Sequence, residues 1–469
     1  VEFLTRLKEL SNLGEVTAGS KKEKVVAEKI SSYFDADERH TIPIHVWHWD
    51  QKHLELVCES HRVKEPLAMP YSPPSDLETR IGSTYGELVK IRLENLYDLN
   101  STYLEHVKRG TEALIFTIDH NLRKFVVKYG DLLVKRPSHP PPIPVVYVKE
   151  DEFQKIEGRC RLLLEVDFNP NSTGYTVEAV RPGRSEEKVF ITVHHDHWFS
   201  GEHDNLIGVS LLPEFRSHYY ELHLVSFSAE ESGAPGFPTF SWSYGSRDFV
   251  NSLNQENVEL SINIDSLFPN SLTIYSTHRI SGIEGTKVIY EPMIYSDGYS
   301  FVKAGIPNIT FTSAPDPRYH SDSDVVQESE GPFYLRLMEL VNRLLSSKIE
   351  LNSSPIRDNL LKSHDYLSPE LRSYSVNLVD RLNEKSVQRF ILKLYGGVLA
   401  GRYAEVKLFH VFYALKLALD QREVHVEDHK ALRFIGGDRR FYINFLNQLK
   451  RDETEVLLSE IYSNLKQIL

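Results

Sequence analysis

The amino-acid sequence predicts an α/β fold: a mixed central sheet flanked by helices, with a small β-rich insert and a helical C-terminal domain. Three observations point there. Val189 to Val193 is a β-branched apolar run of the kind that forms a buried strand, and similar runs recur at Leu222 to Ser228, Val258 to Ile264 and Ile306 to Phe311. Between about 50 and 170 the texture changes to prolines and short strand-like segments. Beyond about 355 the chain reads almost wholly as helix.

Taken in order, Phe3, Leu4, Leu7, Leu10 and Leu13 fall at helical spacing, and Val25, Val26, Ile30 and Phe34 repeat the pattern. Ile42 to Trp49 then reads as a strand. Leu54 to Cys58, Thr111 to Ile118, Ile143 to Val148 and Arg161 to Val166 are the short strands of the insert. Residues 172–350 alternate strand and helix, as a mixed sheet requires. In the last part Ser368-Pro369 marks a helix start. The resulting division is 1–50 and 171–350 for the main α/β domain, 51–170 for the insert and 351–469 for the helical domain.

Composition bounds the function. A chain of 469 residues exceeds one ordinary core. The formal net charge of −12 argues against nucleic acid or an anionic membrane surface as a main partner. No apolar run approaches the ~20 residues of a membrane helix. The opening Val-Glu-Phe-Leu-Thr-Arg-Leu lacks a signal-peptide core. Cys58 and Cys160 are too few for a disulfide framework, so a cytoplasmic location and two free buried thiols are expected, with a single bridge as the alternative.

Each strand-like run of the main domain ends near metal-ligand residue types. Val193 is followed by His194-His195-Asp196-His197 and then by Asp204-Asn205; Ser228 leads to Glu230-Glu231, Ile264 to Asp265, and Phe311 to Tyr319-His320. Open α/β sheets bind ligands just beyond the carboxyl ends of their strands. Imidazole nitrogens and carboxylate oxygens are the donors zinc takes. The histidine run leaves the register to settle: His194 sits two before an aspartate, and His195 and His197 are the alternatives.

This constellation resembles the co-catalytic zinc exopeptidases, the family of bacterial secreted aminopeptidases, aminopeptidase Y and glutamate carboxypeptidase II. Its pattern of H-x-D, D-N, E-E, D and H is matched by His194 to Asp196, Asp204-Asn205, Glu230-Glu231, Asp265 and His320. The resemblance implies two Zn2+, with Co2+ or Mn2+ as substitutes. Asp204 would bridge them, His194 and Asp265 would complete one site, and Glu231 and His320 the other. Asp196 would accept a hydrogen bond from the second ring nitrogen of His194. Glu230 would be the general base toward a water bridging the metals, and Tyr319 a donor to the tetrahedral oxyanion. The implied activity is removal of residues from the N-terminus of peptide substrates. The alternatives are a carboxypeptidase of the glutamate carboxypeptidase II kind, which Trp198-Phe199 favours, and a non-catalytic homologue used for binding or assembly.

Gly110 to Phe116 with Pro140 to Val146 resembles a protease-associated domain, which in this family shapes or covers the cleft. The C-terminal helices resemble segments that dimerise in the carboxypeptidase branch; packing on the chain's own main domain is the other arrangement. Three departures stand out. Pro213 interrupts the helix expected after Asp204. An insertion after Glu231 brings Phe237, Phe240, Trp242 and Tyr244, either as a pocket lining or as a loop anchor. Gly298 stands where the family commonly has histidine.

Overall fold

The apolar positions of the first segment become α1 (Glu2–Ser11) and α2 (Glu23–Ser32), which bury Phe3, Leu7 and Leu10 from one and Val26, Ala27 and Ile30 from the other. The structure, a computed structural model, describes residues 2–395 apart from 37, 60, 84, 128–139, 238–241, 270–271, 284, 294, 314–315, 363–375 and 377–378. After α2 come β1 (Glu38–Cys58), β2 (His61–Arg62), β3 (Leu67–Ala68), β4 (Ser75–Gly82), β5 (Leu88–Arg92), α3 (Leu99–Lys108), β6 (Ala113–Thr117), β7 (Val145–Tyr147) and α4 (Glu150–Phe153). Then follow β8 (Arg159–Arg181), β9 (Lys188–His194), a π-helical turn (Glu202–Leu206), α5 (Ile207–Leu211), β10 (Glu221–Phe227), α6 (Tyr244–Ser252) and β11 (Val258–Ile264). The remaining described elements are β12 (Leu272–Ser276), β13 (Lys287–Ile289), α7 (Gly298–Lys303), β14 (Asn308–Ser313), α8 (Gly331–Leu344), α9 (Ser354–Lys362) and α10 (Lys385–Tyr395).

The strands form one mixed sheet in the order β13-β12-β14-β11-β9-β10-β8-β4-β5-β6-β7-β3, with β1 paired to β8 and to β2. At its centre β14, β11, β9 and β10 run parallel. A parallel strand is covered on both faces, which is why these strands bury even polar residues, Ser226, Ser261, Asn263 and Thr310 among them. On β9, Val189, Ile191 and Val193 join the core under α1, α2, α5 and α8. Phe190 turns the other way, toward Val250 of α6 and Phe301 of α7. The chain passes from β9 to β10 on one side and then to β11 on the other. The order therefore reverses beside β9, and the crevice of such a sheet opens at that point.

Two expectations change here. The segments Ile42 to Trp49 and Leu54 to Cys58 are parts of one 21-residue strand, and Arg161 to Val166 lies within the 23-residue β8. β1 and β8 pair antiparallel from Glu38↔Val180 to Cys58↔Cys160, with register shifts near Trp47 and Lys52. Each supplies the other's backbone partners, so the polar stretch around Asp50 does not end the strand. Positions 50 and 170 fall inside this ribbon, which joins β10 at one end and β4 at the other.

The second change concerns the cysteines. Cys58 and Cys160 are not free thiols but form a disulfide, with Cα atoms 4.0 Å apart. They stand directly opposite in the β1–β8 ladder and are buried among Leu56, Val63 and Leu162. Their separation of 102 residues in the chain hides this pairing. The ground on which a reducing cytosol was expected is thereby removed.

Pro213 acts as anticipated: α5 stops at Leu211 and a 3-10 turn, Leu212–Glu214, holds the proline. In the C-terminal part α9 and α10 are helical. The helix start at Ser368, the stretch beyond 395 and the dimer expected from it lie outside the described residues. Among the described residues no helix is long and apolar enough to cross a membrane.

Candidate metal centre

The carboxyl ends of β9, β10, β11 and β14 deliver their polar residues into one buried cluster. Sharp left-handed backbone helps aim them: Ala229 (φ 55°), before Glu230, Ser266 (φ 49°), after Asp265, and His320 (φ 54°) all adopt it without being glycine. Such positions cost of order 1–3 kcal/mol each and persist only where the surroundings enforce them.

His194 closes β9 and is 1% exposed. Its Nδ1 lies 2.9 Å from the carbonyl oxygen of Asp196, which assigns the ring proton to Nδ1 and leaves the Nε2 lone pair facing the cluster. Nε2 is 3.4 Å from Asp204 Oδ1 and 3.5 Å from Asp265 Oδ1. On the other side, His320 directs Nδ1 to the carbonyl oxygen of Lys124 at 3.1 Å. Its Nε2 lies 3.4 Å from Asp204 Oδ2 and 3.1 Å from Glu231 Oε2. Asp204 thus shows one oxygen to each imidazole. The ligating atoms of His194, Asp204 and Glu231 all fall within 4.8 Å of one another.

The donor set fits metal ions. Both Nε2 atoms are buried and have no hydrogen-bond partner, an expensive state for a ring nitrogen unless something else uses its lone pair. In a tetrahedral site with bonds of about 2.0–2.1 Å, neighbouring donor atoms lie about 3.3–3.4 Å apart, close to the separations found here. His194, Asp204 and Asp265 would hold one ion, and Asp204, Glu231 and His320 another.

Electrostatics point the same way. Burial pushes the Glu230, Glu231 and Asp265 carboxyls up, and neighbouring carboxylates push further. Burial also opposes ionisation of Asp204, but the flanking His194 and His320 outweigh it and hold that carboxyl well below its ordinary range. Burial would lower His320, yet Glu231 and Asp204 raise it to about 10. Carboxyls crowded in a dry site hold their protons more tightly and draw protons to the imidazoles between them, and a cation there would relieve the same crowding.

Asp196 plays a different part from the one the resemblance implies. Its carboxylate is 3.8 Å from His194 Nδ1, and the backbone carbonyl takes that bond instead. Its two oxygens accept the backbone N–H groups of Glu230 and Glu231, each at 3.0 Å. A strand end leaves such amides unpaired, and Asp196 satisfies both while fixing the Glu-Glu turn. Glu230 and Glu231 then diverge: Glu230 Oε1 accepts the Ser243 hydroxyl at 2.7 Å, and Glu231 Oε2 accepts the Trp198 indole N–H at 2.9 Å. Tyr319 stacks on His320, ring centroids 3.8 Å apart.

The other histidines face elsewhere. His195 sits 2.9 Å from Ser226 Oγ and 3.5 Å from the buried Glu23; His197 lies 2.8 Å from the carbonyl of His195. His203 is held between Asp324 at 2.6 Å and Glu330 at 3.0 Å. Asp324 also accepts the backbone N–H groups of His203 and Asp204, and so shapes the turn that presents Asp204. Sequence reasoning passed over Asp324, Ser243 and Lys124. Nothing in their spacing marks them, because their partners are backbone groups or residues far away in the chain.

No family model and no curated protein matches the sequence. Solved structures do match the backbone. The peptidase M28 precursor from Shewanella amazonensis SB2B aligns with a TM-score of 0.60 at 14% identity, over 75% of this chain and 94% of that one. The zinc aminopeptidase BSAP from Bacillus subtilis aligns with a TM-score of 0.55 at 17% identity, over 74% and 95%. The chain has the fold of the zinc aminopeptidases. An aminopeptidase from Aneurinibacillus sp. strain AM-1 aligns similarly, with a TM-score of 0.52 at 18% identity over 75% and 94%. In this chain the zinc-aminopeptidase fold carries its buried His/Asp/Glu cluster at the strand ends beside the reversal of the sheet.

Proposed function

We propose that this chain is a metal-dependent exopeptidase that releases residues from the N-terminus of peptides. The observation that carries the reading is Asp204, set with one oxygen 3.4 Å from His194 and the other 3.4 Å from His320. A carboxylate so placed suits two ions a few ångströms apart, and likeness to zinc aminopeptidases supports zinc as the metal. When bound, such a pair supplies Lewis acidity, which makes an attacking water more acidic and polarises the scissile carbonyl.

The protein's own groups do the rest. Glu230, buried and not needed as a ligand, takes the proton of the attacking water. Burial raises its affinity for that proton, and the Ser243 hydroxyl orients its carboxylate. Asp196 keeps Glu230 and Glu231 in their separate roles by tying both backbone amides. Tyr319, stacked beside His320, donates a hydrogen bond to the developing oxyanion.

The second reading is a carboxypeptidase of the glutamate carboxypeptidase II kind, which the Trp198-Phe199 pair favours. The deciding experiment supplies the zinc-loaded chain with free, N-acetylated and C-amidated versions of one peptide. Aminopeptidase action requires the free amine and ignores amidation. Cleavage of the acetylated peptide but not the amidated one establishes a carboxypeptidase instead, and no cleavage across a panel of terminal residues counts against both.

A further inference from the structure

We infer that Arg123 and Lys124, in the insert, are positioning residues for one of the two metal sites, the one formed by Glu231 and His320. The inference rests on the di-metal reading above. Residues 122–124 lie beside 320–322 as a short antiparallel ladder. Leu122 donates its N–H to Asp322 Oδ1 at 2.9 Å and accepts from the Asp322 N–H at 3.1 Å. Lys124 donates its N–H to the His320 carbonyl at 3.1 Å, and its own carbonyl lies 3.1 Å from His320 Nδ1. The insert backbone therefore sets the tautomer of His320 and turns Nε2 toward the cluster.

The two side chains extend this grip. Arg123 is 7% exposed, and its guanidinium donates to the carbonyls of Tyr319 at 2.8 Å and Pro317 at 2.6 Å while Asp119 holds it from behind. It gathers the turn that carries His320. Lys124 Nζ lies 5.5 Å above the Trp198 ring and 5.3 Å above the Phe199 ring. It also bonds both oxygens of Glu15, at 2.7 and 2.6 Å, and Glu15 accepts the Phe199 N–H at 2.9 Å. The Trp198 indole N–H, in turn, orients Glu231. One insert residue thus supports both non-bridging ligands of the same site, His320 through its carbonyl and Glu231 through Trp198. Among the described residues the other pair is held from the main domain, His194 by the carbonyl of Asp196 and Asp265 by the Ser266 hydroxyl.

The test is calorimetric titration of the metal-stripped full chain with Co2+, comparing wild type with Arg123→Ala, Lys124→Met and Lys124→Arg. Loss of an outer hydrogen-bonding partner weakens metal binding by about 10–100-fold. Wild type is expected to bind two ions. Arg123→Ala and Lys124→Met should weaken one binding event by that factor and leave the other unchanged, and Lys124→Arg should restore it. A role in folding alone would lower the unfolding temperature of the stripped chain without splitting the two affinities. Wild-type affinities in both weakened variants, or equal loss at both sites, overturn the inference while the di-metal reading stands. A wild-type chain that binds fewer than two ions overturns that reading and the inference with it.

Discussion

Glu230 and Glu231 are neighbours with the same side chain, and their surroundings separate them. The Ser243 hydroxyl steadies Glu230, whereas Glu231 bonds Trp198 and faces His320 at 3.1 Å. Replacing Glu230 with Gln keeps shape and neighbours but removes the proton acceptor. The expected loss is about 10²–10⁴-fold in rate, about 3–5 kcal/mol of barrier, with two metals still bound. The fall should appear in kcat more than in KM, because proton transfer belongs to the transition state. Glu231→Gln should instead weaken one metal together with activity. Measuring kcat and metal content for both variants checks the assignment. A Glu230→Gln protein that loses metal would show the two roles to be reversed.

The β1–β8 ribbon is the element that unites the molecule. One end pairs with β10 beside the candidate site and the other with β4 of the insert, and the Cys58–Cys160 bridge closes the insert end. The bridge links residues 102 apart, so its loss releases much chain entropy in the unfolded state. Changing both cysteines to Ser should cost about 2–5 kcal/mol of stability. Denaturant unfolding of the variant and of the oxidised parent, with and without reductant, measures it. Hydrolysis per folded molecule should hardly change, because the bridge packs in the insert's own core among Leu56, Val63 and Leu162.

For the molecule as a whole, the cluster is a concentration of carboxyl and imidazole groups in the interior. Asp204, Glu230 and Asp265 are each less than a tenth exposed, and Glu231's side chain is 8% exposed. Ions that bind the folded chain and not the unfolded one stabilise it by about 2.7 kcal/mol at roughly 100 times their Kd. Chelation should therefore lower the thermal midpoint by several degrees, and added zinc should restore it. Differential scanning calorimetry on stripped and reloaded protein checks this; a midpoint indifferent to chelation would count against metals at the cluster.

Much of the fold was open to reading because it rests on local order. The buried runs of β9, β10, β11 and β14 are recognisable by their β-branched and apolar residues, and carboxylates and imidazoles follow at or beyond their ends. His194, Glu230, Glu231 and Asp265 stand at or just past those ends, whereas Asp204 and His320 were singled out by the resemblance of the motifs to the zinc exopeptidases. Tertiary structure decided what depends on partners distant in the chain. The pairing of β1 with β8 turned three short segments into two long strands and set Cys58 opposite Cys160. The backbone amides of Glu230 and Glu231 drew the Asp196 carboxylate away from His194. Lys124, 196 residues before His320, reached it through a backbone carbonyl, a group that every residue possesses and that no sequence pattern can single out.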